Sequence, residues 1–328
     1  MRRGARRLLL CSGALLAAWL LLPRVVLAHE GQPLMPHDLW QTWNWEPLTL
    51  ATLLATALGY GAGVRALWRA AGAGRGLQRW RVLAFAGGLL ALFVALVSPL
   101  EALAGALFSA HMAQHLLLIL IAPPLLLAGR PDVTLTWALP AQWRQGLVRW
   151  QKRRTGLRAS WRFVSKPVVV WLLYALGFWI WHAPFLYEAA LRYELVHVLE
   201  HMTFLGTALL FWWTLAHCRL RGAKLSHGLG ILFVFTTALH GGLMGWLLTF
   251  TTQRWYPAYG ISARQWGMTP LADQQLAGTI MWAPAGIVYA LAALVLLGAW
   301  LERLERQGRP GAPDKANGRA DVRVARPR

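Results

Sequence analysis

Four histidines lie in two pairs of identical spacing, and together they could bind a metal ion. His111 and His115 are four residues apart, and so are His197 and His201. On a helix, side chains four residues apart share one face, with about 5–6 Å between their Cβ atoms. Each pair can therefore present two imidazoles to one ion, as helical zinc sites do. Because imidazole suits zinc, copper, iron and nickel, the two pairs predict a transition-metal site.

Further candidate ligands accompany the two pairs. His182 is one, and His240 with Met244 repeats the four-residue spacing with a thioether, a donor that favours Cu(I). Acidic residues are too few nearby for calcium or magnesium, and we expect Glu200 and Asp273 to orient ligands by hydrogen bonding. Copper is the first choice of metal and zinc the second. Haem competes, since one histidine from each of two helices can hold it.

The N-terminal region contains a second group of candidate ligands. Residues 1–28 have a basic start, an apolar run and a small-residue cleavage pattern, which predicts a signal peptide or an uncleaved anchor. Residues 29–46 are polar and proline-containing, and they hold His29, Met35 and His37. This segment is interpreted as an extracytoplasmic arm that collects metal, or as a lead-in that packs on the outer rim.

The two pairs need helices that hold them at one depth, and apolar segments recur along the chain. It is 57% hydrophobic and 14% charged, whereas a soluble domain carries about 25% charged residues. Apolar windows of about 20 residues, the length that crosses a bilayer, occur near 47–68, 80–99, 109–128, 167–186, 195–216, 227–250 and 276–300. No strand-like alternation competes with them. The sequence predicts an all-α integral membrane protein with a seven-transmembrane-helix bundle over residues 47–301.

The distribution of basic residues predicts how this bundle is oriented. Lys and Arg are concentrated in residues 64–81, 129–166 and 217–226 and in the C-terminal tail, whereas the loops on the other side hold three arginines. Basic loops favour the cytoplasm, so the N-terminus is predicted to be out and the C-terminus in. His217 and His227 then face the cytoplasm, and the other eight histidines lie on or toward the extracytoplasmic side.

The net charge of +20 is interpreted as basic residues that set the orientation in the membrane and that contact anionic lipid. Nucleic-acid binding is not expected, because no fold or motif supports it. A short amphipathic helix around Trp143–Arg158 is predicted at the membrane interface. Residues 302–328 are predicted to form a basic, disordered cytoplasmic tail.

Three blocks of the sequence are similar to one family of membrane proteins. They are SPLEALAGALFSAHMAQHLLLILIAPPLLLAGRP at 98–131, WIWHAPFLYEAALRYELVHVLEHMTFLGTALLFWW at 179–213 and WGMTPLADQQLAGTIMWAPAGIVYAL at 266–291. Together they resemble the multi-span CtaG family, the assembly factors of caa-type cytochrome c oxidase, over about residues 35–300. The family's motif residues match at His111, His115, His182, His197, His201, Asp273, Gln274 and Gln275.

The resemblance implies a multi-pass protein of the bacterial cytoplasmic membrane that is not an enzyme. Its implied role is respiratory chain biogenesis, as a metallochaperone that binds copper on the extracytoplasmic side. The implied partners are a haem–copper oxidase subunit in the membrane and an extracytoplasmic copper donor. Two alternatives stay open: a copper transporter, which needs ligands continuing toward the cytoplasm, and a haem-binding membrane redox protein.

Overall fold

The computed structural model describes residues 34–153, 155–218 and 227–308, which form helices and connecting turns with no strand. Residues 1–28, the predicted signal peptide or anchor, lie outside the described residues. Short 3₁₀ segments occur at Pro36–Gln41 and Pro257–Tyr259. The α-helices are α1 Pro47–Ala71, α2 Arg79–Leu96, α3 Pro99–Ala106, α4 Phe108–Leu116, α5 Ala122–Ala128, α6 Pro131–Ala138, α7 Ala141–Arg153, α8 Thr155–Val164, α9 Pro167–Trp181, α10 Pro184–Arg192, α11 Glu194–Cys218, α12 His227–Phe250, α13 Ser262–Gln265 and α14 Pro270–Gly308.

The described part of the chain contains six helical segments long and apolar enough to cross a membrane. They are α1, α2, the run Phe108–Ala128 that joins α4 to α5, α11, α12 and α14. The pair α9 and α10 passes the same test but is bent by 75°. The all-helical membrane architecture is thus confirmed, with six candidate spans, or seven if the bent pair is one span.

The bend corrects the continuous span predicted at 167–186. α9 ends at Trp181, and Ala183 adopts an extended backbone (φ −66°, ψ 125°) before Pro184 begins α10. Proline disfavours the α-helical region for the residue before it, which explains the break. His182 lies at this corner and is 4% exposed.

The run Phe108–Ala128 is the most enclosed of the candidate spans. In its most apolar window 56% of the residues are buried, against no more than 33% in the other five. Its middle, Leu117–Ile121, is a π-helical turn that precedes Pro123 and Pro124. In an α-helix the Ile119 carbonyl would accept from residue 123, and in a π-helix from residue 124. Both residues are prolines without an N–H, so neither can donate to it. The Trp212 indole on α11 donates to that carbonyl at 2.9 Å, which ties α11 to this run.

Two glycines allow α12 and α14 to pack closely. A Cβ atom at Gly278 of α14 would lie 2.6 Å from the Gly245 carbonyl oxygen of α12, so side chains at these positions would force the helices apart. α14 then continues through Gly308. The last turns of α14 thus lie within residues 302–328, the range predicted as a disordered tail, and residues 309–328 lie outside the described residues.

The basic loop after α5 contains more helix than the sequence predicts. α6, which was not predicted, packs on α1 where Gly63 meets the Thr134 backbone. The single amphipathic helix predicted around Trp143–Arg158 is two helices, α7 and α8. Trp143 of α7 and Trp161 of α8 are both about half exposed, as tryptophans at a membrane interface would be.

Candidate metal site

The first histidine pair lies on α4, with His111 near its start and His115 in its last turn. His111 is 1% exposed and His115 is 4% exposed, and their rings meet edge to face with centroids 4.3 Å apart. The Asp273 carboxylate of α14 caps this helix, accepting from the N–H groups of Phe108 at 2.7 Å and Ser109 at 3.1 Å. An acid at a helix N-terminus pairs otherwise unsatisfied N–H groups and interacts favourably with the helix dipole. Asp273 therefore stabilises the helix end that carries His111.

The second histidine pair lies on α11 and faces the first across the helix interface. The ring centroid of His111 lies 5.6 Å from that of His197 and 6.3 Å from that of His201. The His115 centroid lies 5.5 Å from that of His201. Within the second pair the centroids are 4.1 Å apart. The structure thus brings all four imidazoles into one cluster, called the histidine cluster below.

His111 belongs to two groups of candidate ligands. One group contains His197 and His201, and the other contains His115 and Glu200; within each group the ligand atoms lie within 4.8 Å of one another. The Glu200 carboxylate has one oxygen 3.8 Å from His111 Nε2 and the other 3.8 Å from His115 Nε2. Glu200, predicted to orient a ligand, therefore lies among the candidate ligands itself.

Several polar atoms of the histidine cluster are buried without a hydrogen-bond partner in the described part of the chain. They are His111 Nε2, both ring nitrogens of His115, His201 Nε2 and both carboxylate oxygens of Glu200. One unsatisfied buried group costs about 1–3 kcal/mol, so such a concentration requires a reason. Imidazole nitrogens and a carboxylate oxygen are transition-metal donors, and the residues present therefore fit a metal ion.

Tyr259 lies beside Nδ1 of His111 and favours one of its two tautomers. Its hydroxyl donates to the Ala104 carbonyl at 3.0 Å and lies 2.7 Å from the Tyr187 hydroxyl and 3.4 Å from His111 Nδ1. Burial raises the pKa of Tyr259 well above its usual value, so the phenol keeps its proton. With the Tyr259 proton on the Ala104 carbonyl, the compatible tautomer of His111 carries its hydrogen on Nδ1. The lone pair of His111 then lies on Nε2, which faces Glu200, as metal-binding histidines require.

Gln114 and Glu101 form a polar link on the other side of the cluster, and sequence reasoning misses it. The Gln114 amide, fully buried, donates to the Ala95 carbonyl at 2.7 Å and to the Glu101 carboxylate. Glu101 in turn lies 3.7 Å from His197 Nδ1. Burial raises the pKa of Glu101 to about 7, although the bond from Gln114 opposes this shift. A polar Gln114 three residues after His111 in an apolar helix is the signal that could have identified it.

His182 and His240 lie beside the cluster rather than inside either ligand group. His182 Nδ1 donates to the Phe178 carbonyl at 2.7 Å, so its lone pair is on Nε2. His182, His240 and His115 line a cavity that adjoins the cluster. Met244, predicted to act with His240, does not line this cavity, although it packs in the same core cluster as Met112 and Met281.

The N-terminal arm presents its candidate ligands at the surface. Met35 is 38% exposed, and the His37 side chain is 73% exposed, with Nε2 3.3 Å from the carboxylate of the next residue. The Trp266 indole donates to the Leu34 carbonyl at 3.0 Å and holds the arm against the segment before α14. His37 belongs to neither ligand group of the described residues, and His29 lies outside them.

A comparison with protein families gives one match across most of the chain. The family model described as cytochrome c oxidase caa3 assembly factor matches residues 58–303. This range contains every residue of the histidine cluster, the three quoted sequence blocks and all the candidate spans except the start of α1 and the end of α14. The resemblance read from the sequence blocks is therefore confirmed.

Curated relatives of the chain occur in mycobacteria. The chain is 26% identical over 269 residues to an uncharacterised protein of Mycobacterium bovis and to one of Mycobacterium tuberculosis. It is 25% identical over 276 residues to an uncharacterised protein of Mycobacterium leprae. Each match covers 80% of this chain and 40% of the relative, so the chain spans less than half of these longer proteins. No solved structure matches the chain significantly.

Proposed function

Since the chain belongs to the family of cytochrome c oxidase caa3 assembly factors, we propose that it supplies copper to a haem–copper oxidase during assembly. An oxidase is the partner in general terms for any member of this family, and an assembly role suggests that the protein is not an enzyme. Copper as the cargo and direct delivery to a membrane subunit belong to the proposal. The observation that supports it most is the convergence of His111, His197 and His201, with ligand atoms within 4.8 Å of one another.

The donor set supports a single metal ion better than a haem. Five of the six pairs among the four imidazole rings have centroids 4.1–6.3 Å apart. A haem would have to enter between the two histidines that bind it, and α4 and α11 would then have to separate. The Trp212 bond to Ile119 opposes that separation.

The proposed delivery is an exchange of ligands. The histidine cluster receives the ion from an extracytoplasmic copper donor, with the exposed Met35 and His37 as a first contact. His111, His115, His197 and His201 then hold it, with Glu200 as a further donor. Imidazoles of the cluster are replaced one at a time by donors of the oxidase subunit, so no bond other than metal–ligand bonds changes. This requires the histidine end of the bundle to face outward from the bacterial cytoplasmic membrane.

Copper loading of purified protein tests the ligand assignment. In detergent, with Cu(II) as a spectroscopic probe, the wild type should bind the ion and show nitrogen couplings in its paramagnetic resonance spectrum. His111→Ala/His197→Ala should weaken Cu(II) binding by about tenfold or more. His227→Ala, which lies in neither ligand group, is the control and should bind as the wild type does. A double variant with unchanged affinity and couplings would refute this site.

A strain without the gene tests the biological role. The oxidase purified from that strain should lack copper, the wild-type gene should restore it, and the double histidine variant should not. Normal copper content in the oxidase of the deletion strain would contradict an assembly role in copper supply, whatever the purified protein binds.

A further inference from the structure

A cavity of about 50 Å³ lies next to the histidine cluster, where α4, α9, α12 and α14 meet. His115 borders both the cluster and the cavity. The other lining residues with metal-binding chemistry are His182 and His240, together with Met112 and Met281. A water molecule needs roughly 10–15 Å³ of such space, so the cavity is large enough for an ion with its ligands around it. These five residues define the cavity site discussed below.

Three ring nitrogens of His182 and His240 at this cavity are unpaired in the part of the chain that the structure describes. His182 Nε2 and both ring nitrogens of His240 are buried with no hydrogen-bond partner among the described residues. The nearby hydroxyls of Tyr174 and Tyr289 lie 2.7 Å apart and satisfy each other. Buried polar groups are rarely left unpaired in proteins, and three such nitrogens around one cavity therefore indicate a ligand.

The sulfur donors indicate that the ligand is a soft metal ion rather than water. Met112 is 2% exposed and Met281 is 8% exposed, and both line the cavity. A thioether is a weak hydrogen-bond acceptor, so two of them contribute little to holding water, whereas they favour Cu(I). No acidic side chain lines the cavity. A divalent ion would keep its full charge in these apolar surroundings, which is more costly than burying a single charge.

We propose that this cavity is a second metal site, which binds Cu(I) through His182, His240, Met112 and Met281. The inference rests on the proposed function in that it takes copper as the cargo. His115 lies at both sites, so an ion can leave the histidine cluster for the cavity by exchanging ligands around one imidazole. The ion enters as Cu(I) and stays Cu(I), and no electron transfer is required. The cavity site then holds copper beside the cluster, between α4, α9, α12 and α14.

Soft-metal binding with conservative variants tests the proposal. Under anaerobic conditions, the detergent-purified full chain is titrated with Cu(I) against a chromophoric chelator, and with Ag(I) as a redox-inert probe. X-ray absorption of the Cu(I)-loaded wild type should show sulfur as well as nitrogen neighbours.

Met112→Leu/Met281→Leu conserves side-chain volume and is expected to fold. It should lose the sulfur neighbours and weaken Ag(I) binding by about tenfold or more. Met244→Leu, a buried methionine that does not line the cavity, should behave as the wild type.

Two results would overturn the cavity site. One is a Cu(I)-loaded wild type without sulfur neighbours, which would leave water as the occupant of the cavity. The other is a methionine double variant that binds Ag(I) as tightly as the Met244→Leu control. Failure of the proposed metal site at the histidine cluster can be told apart from failure of the cavity site. In that case His111→Ala/His197→Ala would leave Cu(II) binding unchanged. Sulfur neighbours that persist in that variant support the cavity site independently.

Discussion

Glu200 is the residue that makes the histidine cluster chemically different from the cavity beside it. Its carboxylate lies 3.8 Å from both His111 Nε2 and His115 Nε2 and is almost fully buried. Opposite charges attract more strongly in a low-dielectric interior than in water. A carboxylate among the imidazoles therefore stabilises a divalent ion more than a monovalent one. The cavity residues offer no such charge.

Replacing this carboxylate should change the preference of the cluster for copper oxidation states. Glu200→Gln keeps the size of the side chain but removes its charge. We expect Cu(II) affinity to fall by about 10–100-fold, with a smaller loss for Cu(I), as measured by competition titrations of both ions on one preparation. Glu188→Gln, which removes an acid paired with Arg192 near the surface, is the control. Equal losses for Cu(II) and Cu(I) would contradict an electrostatic role for Glu200.

At the scale of elements, α14 and α11 position the helix that carries the first histidine pair. Asp273 of α14 binds the N-terminus of α4, and Trp212 of α11 binds the Ile119 carbonyl that the prolines leave without a donor. Both bonds join segments far apart in the chain. The depth and rotation of His111 relative to α11 therefore depend on two polar contacts as well as on apolar packing.

Removing the cap should loosen α4 and weaken the cluster together. Asp273→Ala leaves the N–H groups of Phe108 and Ser109 buried without an acceptor, which costs about 1–3 kcal/mol. We expect a lower melting temperature in detergent and weaker Cu(II) binding. Thr269→Ala removes an exposed cap at the start of α14, where the Thr269 hydroxyl accepts from the Ala272 N–H, and should have a smaller effect on stability and none on binding. A stable Asp273→Ala protein with wild-type affinity would show that the cap does not position the site.

At the scale of the whole molecule, the histidine cluster and the basic helices α7 and α8 belong to opposite ends of the predicted topology. The cluster is formed by the first half of the run Phe108–Ala128 and the first turns of α11, whereas α7 and α8 follow the C-terminal end of that run. α7 and α8 carry exposed tryptophans and arginines, the composition of helices that bind an anionic headgroup surface. The positive-inside rule assigns their side to the cytoplasm.

Reporter fusions test this orientation. Alkaline phosphatase, which is active only outside the cytoplasm, should be active when fused after Thr252 and inactive when fused to the C-terminus. Green fluorescent protein at the C-terminus should fluoresce, because that end is predicted to be cytoplasmic. The opposite pattern would place the histidine cluster toward the cytoplasm and contradict delivery from the extracytoplasmic side.

Features that depend on local sequence could be predicted without a structure. Long apolar segments are stable in a bilayer, so the membrane helices could be predicted from composition. The positions at which those helices break were harder to predict. The bend at His182 arises from Pro184, the residue that begins α10. The four-residue spacing of His111 with His115, and of His197 with His201, places each pair on one helix face because the helix has 3.6 residues per turn.

What only the tertiary structure decided is which faces meet. Sequence spacing does not specify the rotation of one helix against another, so it left open whether the two histidine pairs share a site. The structure also placed Glu200 among the candidate ligand atoms, and it brought Met112 and Met281, but not Met244, to the lining of one cavity. These contacts join residues on different helices, and the distance between such residues is determined by packing across the whole bundle, whereas helical periodicity acts only within one segment.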